Sequence, residues 1–165
     1  MLALLGAPAR AEPLEGLSLR DALAGVLAYT RWPQPPDPLR LCFIGNSPYV
    51  ESLLREGLPS LQRTLVLHRL PSERLVSGQC DALYVASVAV QDWQRLQAEL
   101  DGQPILTVCE RSDACTAGGM VRLNLDGGSH NVRFEINLDA VARSAVRIHP
   151  QVLRLGRRSA REVTP

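Results

Sequence analysis

The sequence predicts an α/β fold with a mainly parallel sheet, helices on both faces and a C-terminal β-hairpin. Apolar, strand-like runs alternate with helical patterns between residues 39 and 110, which is typical of βαβ units. Right-handed crossovers in such units place helices on both sides of the sheet. From residue 120 the pattern changes to two alternating runs around the turn-forming sequence DGGSHN, which indicates a hairpin.

The first predicted helix spans residues 16–32. Ser18 is its expected N-cap, with Asp21 three residues later. Apolar side chains recur at helical spacing at Leu19, Leu23, Val26 and Leu27. The proline-rich residues 33–38 end the helix and form a stiff connection.

Four strands and two helices are predicted next. The strands are 39–45, 64–70, 80–87 and 104–110. One helix begins after the expected N-cap Ser47, with Pro48 at its first position, and runs to about Leu58. The other spans residues 90–100.

The hairpin strands are predicted at residues 120–125 and 132–138. Alternation turns one set of side chains inward, namely Val121, Leu123, Leu125, Val132, Phe134 and Ile136. The outer face then carries Arg122, Asn124, Arg133, Glu135 and Asn137. A short helix at 138–145, an extended segment at 146–150 and a helix from Gln151 complete the domain.

We interpret residues 1–11 as the end of a signal peptide and residues 12–165 as a single domain. Ala9-Arg10-Ala11 fits the small-x-small pattern that signal peptidase cleaves. The alternative is a disordered, alanine-rich start. No later apolar run approaches the roughly 20 residues that a membrane span needs. We therefore expect a soluble, exported protein.

Composition and motifs argue against nucleic-acid binding and catalysis. The 18 basic side chains are all arginine and nearly balance 17 acidic ones, so the net charge of +1 provides no basic face. The basic residues 154–161 are interpreted as a solvated tail. The sequence has no G-x-S-x-G elbow, P-loop or H-E-x-x-H motif, and we expect no enzyme activity and no cofactor.

The four cysteines are interpreted as two disulfides, since the chain lacks the closely spaced pairs of zinc or thioredoxin-like sites. Three pairings are open on sequence alone. Cys42 and Cys80 become neighbours if the strand order is that of flavodoxin, and Cys109 and Cys115 are close in sequence. Chain entropy assigns about 4 kcal/mol to a 42–80 bridge and about 2.4 kcal/mol to a 109–115 bridge. The short bridge fixes the surface loop 110–114, and it is either a passive staple or a redox-sensitive one.

Several stretches together resemble the YfiR family of exported proteins. They are YTRWP at 29–33, LRLCFIGNSPY at 39–49, CDALYVAS at 80–87, PILTVCE at 104–110 with Cys115, GGMVRLNL at 118–125, and residues 131–157. The GGM sequence followed by a hairpin that ends in RFEINL is the most specific. Tyr29 and Trp32 stand where the family usually has a Phe or a Trp-Phe pair.

The resemblance implies a periplasmic regulator and not an enzyme. Members bind the periplasmic sensor domain of a membrane-bound diguanylate cyclase and hold the cyclase inactive. An outer-membrane lipoprotein with a peptidoglycan-binding domain draws the repressor away, so that cyclic di-GMP rises and favours exopolysaccharide and biofilm. The family also implies a homodimer and the disulfides Cys42–Cys80 and Cys109–Cys115.

Two sets of candidate binding residues follow. Asp126, Val132, Glu135 and Gln151 lie where the resemblance is densest and are the candidate partner-binding residues, although this density is also explained by packing alone. Arg147 and His149 share one face of an extended segment, and Arg31 is expected to join them if the first helix packs nearby. Such a trio suits a small anionic ligand, and a solvated or salt-bridged cluster is the alternative.

Two other function classes stay open. A small-ligand sensor or solute-binding module would use a cleft at the carboxyl edge of the parallel strands. A periplasmic oxidoreductase would need a reactive thiol of low pKa.

Overall fold

The computed structural model describes residues 16–71, 78–110, 115 and 117–156. Its helices are α1 (Leu19–Tyr29), α2 (Pro48–Glu56), α3 (Val90–Leu100) and α4 (Leu138–Arg143). Its strands are β1 (Thr30–Arg31), β2 (Leu39–Ile44), β3 (Leu65–Arg69), β4 (Ala82–Val85), β5 (Leu106–Glu110), β6 (Val121–Asn124), β7 (Arg133–Ile136) and β8 (Arg147–Ile148). The predicted signal segment 1–11 and residues 111–114 of the predicted surface loop lie outside the described residues.

The main sheet has the strand order β3-β2-β4-β5-β6-β7. Neighbouring strands are parallel from β3 to β6, and β7 pairs antiparallel with β6. The predicted α/β class, the mainly parallel sheet and the C-terminal hairpin are therefore confirmed. The order also places the first and third strands of the predicted series, β2 and β4, side by side.

Helices cover both faces of the sheet, as predicted, because side chains alternate along each strand. In β2, Leu41 and Phe43 pack into one buried cluster together with α1, α2 and α4. Cys42 and Ile44 point to the opposite face and pack into a second cluster with Trp93 and the rest of the apolar side of α3. This second face is the one that carries both disulfides.

Hydroxyl caps fix where two helices begin. Ser18 Oγ accepts a hydrogen bond from the Asp21 backbone N–H at 3.0 Å, and Ser47 Oγ accepts one from that of Val50 at 3.1 Å. Both predicted N-caps are thus confirmed, and Pro48 occupies the first turn of α2. The far end of α2 is held by Arg20, whose Nε donates to the Gly57 carbonyl at 2.8 Å. This cation at a helix C-terminus joins α1 to α2.

The prediction was wrong at the end of the first helix. Residues Thr30 and Arg31 leave α1 and form β1, which pairs antiparallel with β8 as a separate two-stranded ribbon. Two-residue strands carry no periodicity, so the sequence pattern did not distinguish them from a helix end. The C-terminal segment also begins one residue earlier than predicted, as a 3-10 helix at Pro150–Val152.

Candidate partner-binding surface and anion site

Both disulfides are formed in the pairing that the sequence and the resemblance indicated. Cys42–Cys80 joins β2 to the chain entering β4, and Cys109–Cys115 joins the end of β5 to the chain that leads to β6, with a Cα–Cα separation of 5.8 Å in each. The side chains of all four cysteines are buried. The long-range bridge therefore braces the sheet, while the short one sits at the base of the hairpin.

The glycine pair ahead of β6 is shaped by the short bridge. Gly118 has a φ of +90°, which a residue with a side chain rarely adopts. A Cβ on Gly119 would overlap Cys109 Sγ and lie 3.0 Å from the Cys115 carbonyl oxygen. The disulfide is therefore the physical reason for glycine at position 119.

The outer face of the hairpin is polar and open. Arg122 and Glu135 face each other across β6 and β7 and form an ion pair, in which the Glu135 side chain keeps 71% of its exposure. Beside this pair lies a pocket lined by Cys115, Gly119, Arg122, Glu135, Ile136 and Asn137. The disulfide thus forms one wall of a cavity on the face that the sequence assigned to a partner.

The four predicted partner-binding residues do not form one surface. Asp126 and Glu135 are both exposed on the hairpin. Val132 is fully buried, at 0% exposure, and packs in the core, so its side chain cannot touch a partner in this conformation. Gln151 is exposed on the 3-10 helix, where its backbone N–H donates to His149 Nδ1 at 3.1 Å. It therefore lies just after the ribbon formed by β1 and β8.

That ribbon brings the predicted anion-site residues together. Arg31 and Arg147 are direct cross-strand partners. The guanidinium of Arg31 donates to the Ala28 carbonyl at 2.8 Å, and that of Arg147 donates to the Ser144 carbonyl at 2.9 Å. In the part of the chain that the structure describes, neither forms a salt bridge. The two guanidiniums therefore lie on one face of the ribbon. Each uses some of its N–H groups on backbone carbonyls, and its remaining N–H donors are directed outward.

His149 contributes as an aromatic donor. Its ring stacks on Tyr29 with a centroid distance of 6.2 Å. Its Nδ1 accepts the backbone N–H of Gln151 at 3.1 Å, which leaves Nε2 as the nitrogen that can donate to a ligand. The combination of two guanidiniums and a stacked aromatic pair suits an anion that carries a flat group.

A buried carboxyl network, which the sequence analysis did not identify, lies at the carboxyl edge of the sheet. Glu110 is 9% exposed, and its Oε1 accepts hydrogen bonds from Ser47 Oγ at 2.6 Å and from the Tyr84 hydroxyl at 2.8 Å. Burial raises the pKa of Glu110, and the two hydrogen bonds oppose that rise. Burial, followed by the charge of Glu110, raises the pKa of Tyr84.

The Glu110 network joins three elements: the N-cap of α2, the centre of β4 and the end of β5. Its sequence signal was weak, because a single acid at the end of an apolar run is ordinary. Only the strand order places Tyr84 of β4 beside β5.

The carboxyl edge is tightly closed where β2 and β4 leave the sheet. Gly45 has a φ of +77°, and a Cβ there would lie 2.6 Å from the backbone nitrogen of Ser87. Doubly wound folds usually open a ligand crevice at this switch point. Here the backbones of Gly45 and Ser87 approach each other closely at that point.

Among the described residues, no three His, Cys, Asp or Glu side chains lie together in a group that could hold a metal ion. Within the same residues, no helix is long and apolar enough to cross a membrane.

One comparison with known proteins bears on the family. The family model described as YfiR/HmsC-like matches residues 20–157, which is more than four fifths of the chain. The match includes the disulfide-bonded sheet, the hairpin and the β1–β8 ribbon.

Proposed function

The chain belongs to the YfiR/HmsC-like family, and we propose that it is a periplasmic repressor of a membrane-bound diguanylate cyclase. It binds the periplasmic sensor domain of the cyclase and lowers cyclic di-GMP synthesis, which limits exopolysaccharide and biofilm. It acts by occupying the receptor and catalyses no reaction. The family match carries this proposal, because the family suggests a periplasmic regulator of a diguanylate cyclase.

Two structural features support the proposal. Both disulfides are consistent with an oxidising compartment such as the periplasm. The outer face of the hairpin is a polar, open surface that contains a pocket, and it stands on a covalently braced core. A rigid scaffold lowers the entropy cost of binding another protein.

The partner-binding surface is proposed to be the outer hairpin face, with Glu135 at its centre and Asp126 at its turn. Val132 contributes by packing the hairpin from within, because its side chain is buried. Gln151 would act from the β1–β8 ribbon. An outer-membrane lipoprotein with a peptidoglycan-binding domain is proposed to remove the repressor, and the active form is proposed to be a homodimer.

The test is binding of the purified sensor domain of the cyclase from the same organism. Glu135→Arg is expected to weaken binding at least tenfold, because it reverses the charge at the centre of the surface and sets two arginines against each other. Glu51→Arg is the matched control, since Glu51 is also paired to an arginine, Arg69, and its side chain is 62% exposed.

Three outcomes separate the parts of this proposal. Weakening by Glu135→Arg alone supports the surface. Unchanged affinity in both variants rejects the surface and leaves the function standing. No binding by the wild-type protein rejects the function.

The β1–β8 ribbon supports a second, compatible candidate function, which is sensing of a small anionic ligand. The observation that favours it is the cross-strand pair of Arg31 and Arg147 beside the stacked ring of His149. A bound anion would pair with both guanidiniums and accept from His149 Nε2–H.

Thermal unfolding with a nucleoside monophosphate and with inorganic phosphate tests the anion site. A rise in Tm that is lost in Arg147→Gln but kept in Arg133→Gln supports it, because bound ligand stabilises the folded state. An equal rise in both variants, or no rise in the wild-type protein, rejects it.

A further inference from the structure

One edge of the main sheet carries backbone groups that have no partner among the described residues. Strand β7 is the last strand of the sheet and pairs only with β6 among the described residues. Open edges readily pair with another strand, and native proteins usually cover or blunt them. The β7 edge is therefore a candidate site for pairing with a further strand.

The hydrogen-bond pattern identifies which groups are free. The Asn137 N–H donates toward β6, to the Met120 carbonyl at 2.8 Å. Because backbone direction alternates along a strand, Arg133 and Glu135 also face β6, while Phe134 and Ile136 face outward. The Val132 N–H also points outward and is taken by the Leu17 carbonyl at 2.8 Å. Among the described residues, the N–H and C=O groups of Phe134 and Ile136 form the open edge.

The same region carries the most exposed large apolar side chain in the described part of the protein. Leu138, the first residue of α4, is 74% exposed. Phe134 and Ile136 are only half-buried and pack against the core from the edge. An exposed leucine beside two half-buried apolar residues and an open strand edge is typical of a protein interface.

A second copy of the chain fits this edge by symmetry. Two identical strands pair antiparallel about a two-fold axis, so each residue meets the same or a complementary residue. An axis at Phe134 would bring the second strand to Val132, where Leu17 already lies. An axis at Glu135 would oppose two carboxylates, and like charges directly opposite are destabilising.

An axis at Ile136 avoids both conflicts. Ile136 of one copy then lies opposite Ile136 of the other. Arg133 lies opposite Asp139 of the second copy, which is a favourable charge pairing. This axis also brings the exposed Leu138 to Phe134 of the second copy. The N–H of Leu138 lies in the first turn of α4, where backbone donors have no partner inside the helix. It can therefore donate to the Phe134 carbonyl of the second copy.

We propose that two copies of this protein pair antiparallel through the β7 edge, with the two-fold axis at Ile136. The result is one continuous sheet across the dimer, in which Leu138 covers Phe134 of the other subunit. The inference rests on the homodimer proposed above and assigns its interface. Edge pairing leaves the outer hairpin face open, so the dimer presents two Glu135 surfaces side by side to its partner.

A cysteine crosslink tests the position of the axis. In a hydrogen-bonded antiparallel pair the Cα atoms are about 5.5 Å apart, which is within disulfide range. Ile136→Cys is therefore expected to give mostly disulfide-linked dimer on non-reducing gels and in intact mass. The exposed α4 variant Ala142→Cys is the control for random collision and is expected to stay mostly unlinked. Dominant linking by Glu135→Cys instead would overturn the proposed register.

A charge at Leu138 tests the interface without touching the core. Leu138→Asp is expected to raise the dimer dissociation constant at least tenfold in sedimentation velocity, because it removes the apolar cover from Phe134. Val90→Asp is the matched control, since Val90 is 55% exposed and lies at the start of α3. It is expected to leave the dissociation constant unchanged.

The outcomes distinguish the interface from the dimer itself. A dimer that neither links at residue 136 nor responds to Leu138→Asp would overturn the interface and leave the homodimer standing. A wild-type protein that is monomeric at all accessible concentrations would overturn both.

Discussion

The centre of the main sheet and its β6–β7 end are built for different purposes. Around β2, β4 and β5 both faces are buried, and Cys42–Cys80 lies inside the packed layer below α3. At β6 and β7 one face packs on the core while the other carries a solvated ion pair, a pocket and a short disulfide. The comparison teaches that the bridges have separate roles, since one braces the body and the other shapes the surface.

Removing each disulfide tests this contrast and is expected to produce the largest changes in unfolding free energy. Replacing Cys42 and Cys80 by alanine is expected to cost about 4 kcal/mol of unfolding free energy, because the bridge closes a long loop. The same replacement of Cys109 and Cys115 is expected to cost about 2.4 kcal/mol. Urea unfolding of both variants measures the difference. Equal costs would contradict the division of roles.

Gly119→Ala tests whether the short bridge shapes the entry to the hairpin. The added methyl would overlap Cys109 Sγ, and overpacking of this kind costs about 1–3 kcal/mol. In a background without Cys109 and Cys115 the cost is expected to fall, because the sulfur that obstructs the methyl is gone. A double-mutant cycle on unfolding free energies gives the coupling. Identical costs in both backgrounds would show that the disulfide does not constrain Gly119.

Glu110→Gln tests the buried network inside the first region, around β4 and β5. Burial raises the folded-state pKa of Glu110 above its unfolded value. The folded protein therefore holds this proton more tightly, and stability falls as pH rises from about 4, the ordinary glutamate range, through the raised pKa. The variant is expected to be more stable than the wild type above that window and to lose the advantage near pH 4. Thermal unfolding across pH 4–8 measures it, and an advantage that does not vary with pH would contradict the assignment.

Breaking the exposed ion pair of Arg122 and Glu135 is expected to produce the smallest change in stability. Glu135→Ala is expected to alter the unfolding free energy by less than about 1 kcal/mol, since exposed ion pairs contribute little. Chemical unfolding of the wild type and the variant checks this. A cost above about 2 kcal/mol would mean that the hairpin face serves folding more than binding.

Much of the fold could be predicted because its signals are local. The alternation in β6 and β7, the hydroxyl caps of α1 and α2, and the spacing of the apolar residues in α1 each act over a few residues. The pairing of Cys42 with Cys80 followed from strand order. The ribbon of β1 and β8 could not be predicted, since two-residue strands form only when distant segments meet.

The candidate sites were harder to predict, because they depend on which side of an element a residue faces. Val132 was assigned both to the inward face of the hairpin and to the partner-binding set, and its burial confirms the inward face. Glu110 gained its network from Ser47 and Tyr84, which are both distant in sequence. Arg147 and His149 were expected on one face from the period of an extended segment. Arg31 was expected to join them through packing of the first helix, and it does so instead as a cross-strand partner in the ribbon.

Cyclic di-GMP synthesis by the full-length cyclase in liposomes, with this protein added on the sensor side, tests the central claim most directly. We expect the oxidised wild-type protein to lower the rate at least tenfold at saturation, and we expect Glu135→Arg to require a higher concentration for the same effect. An unchanged rate at saturating concentrations of folded, disulfide-bonded protein would contradict it.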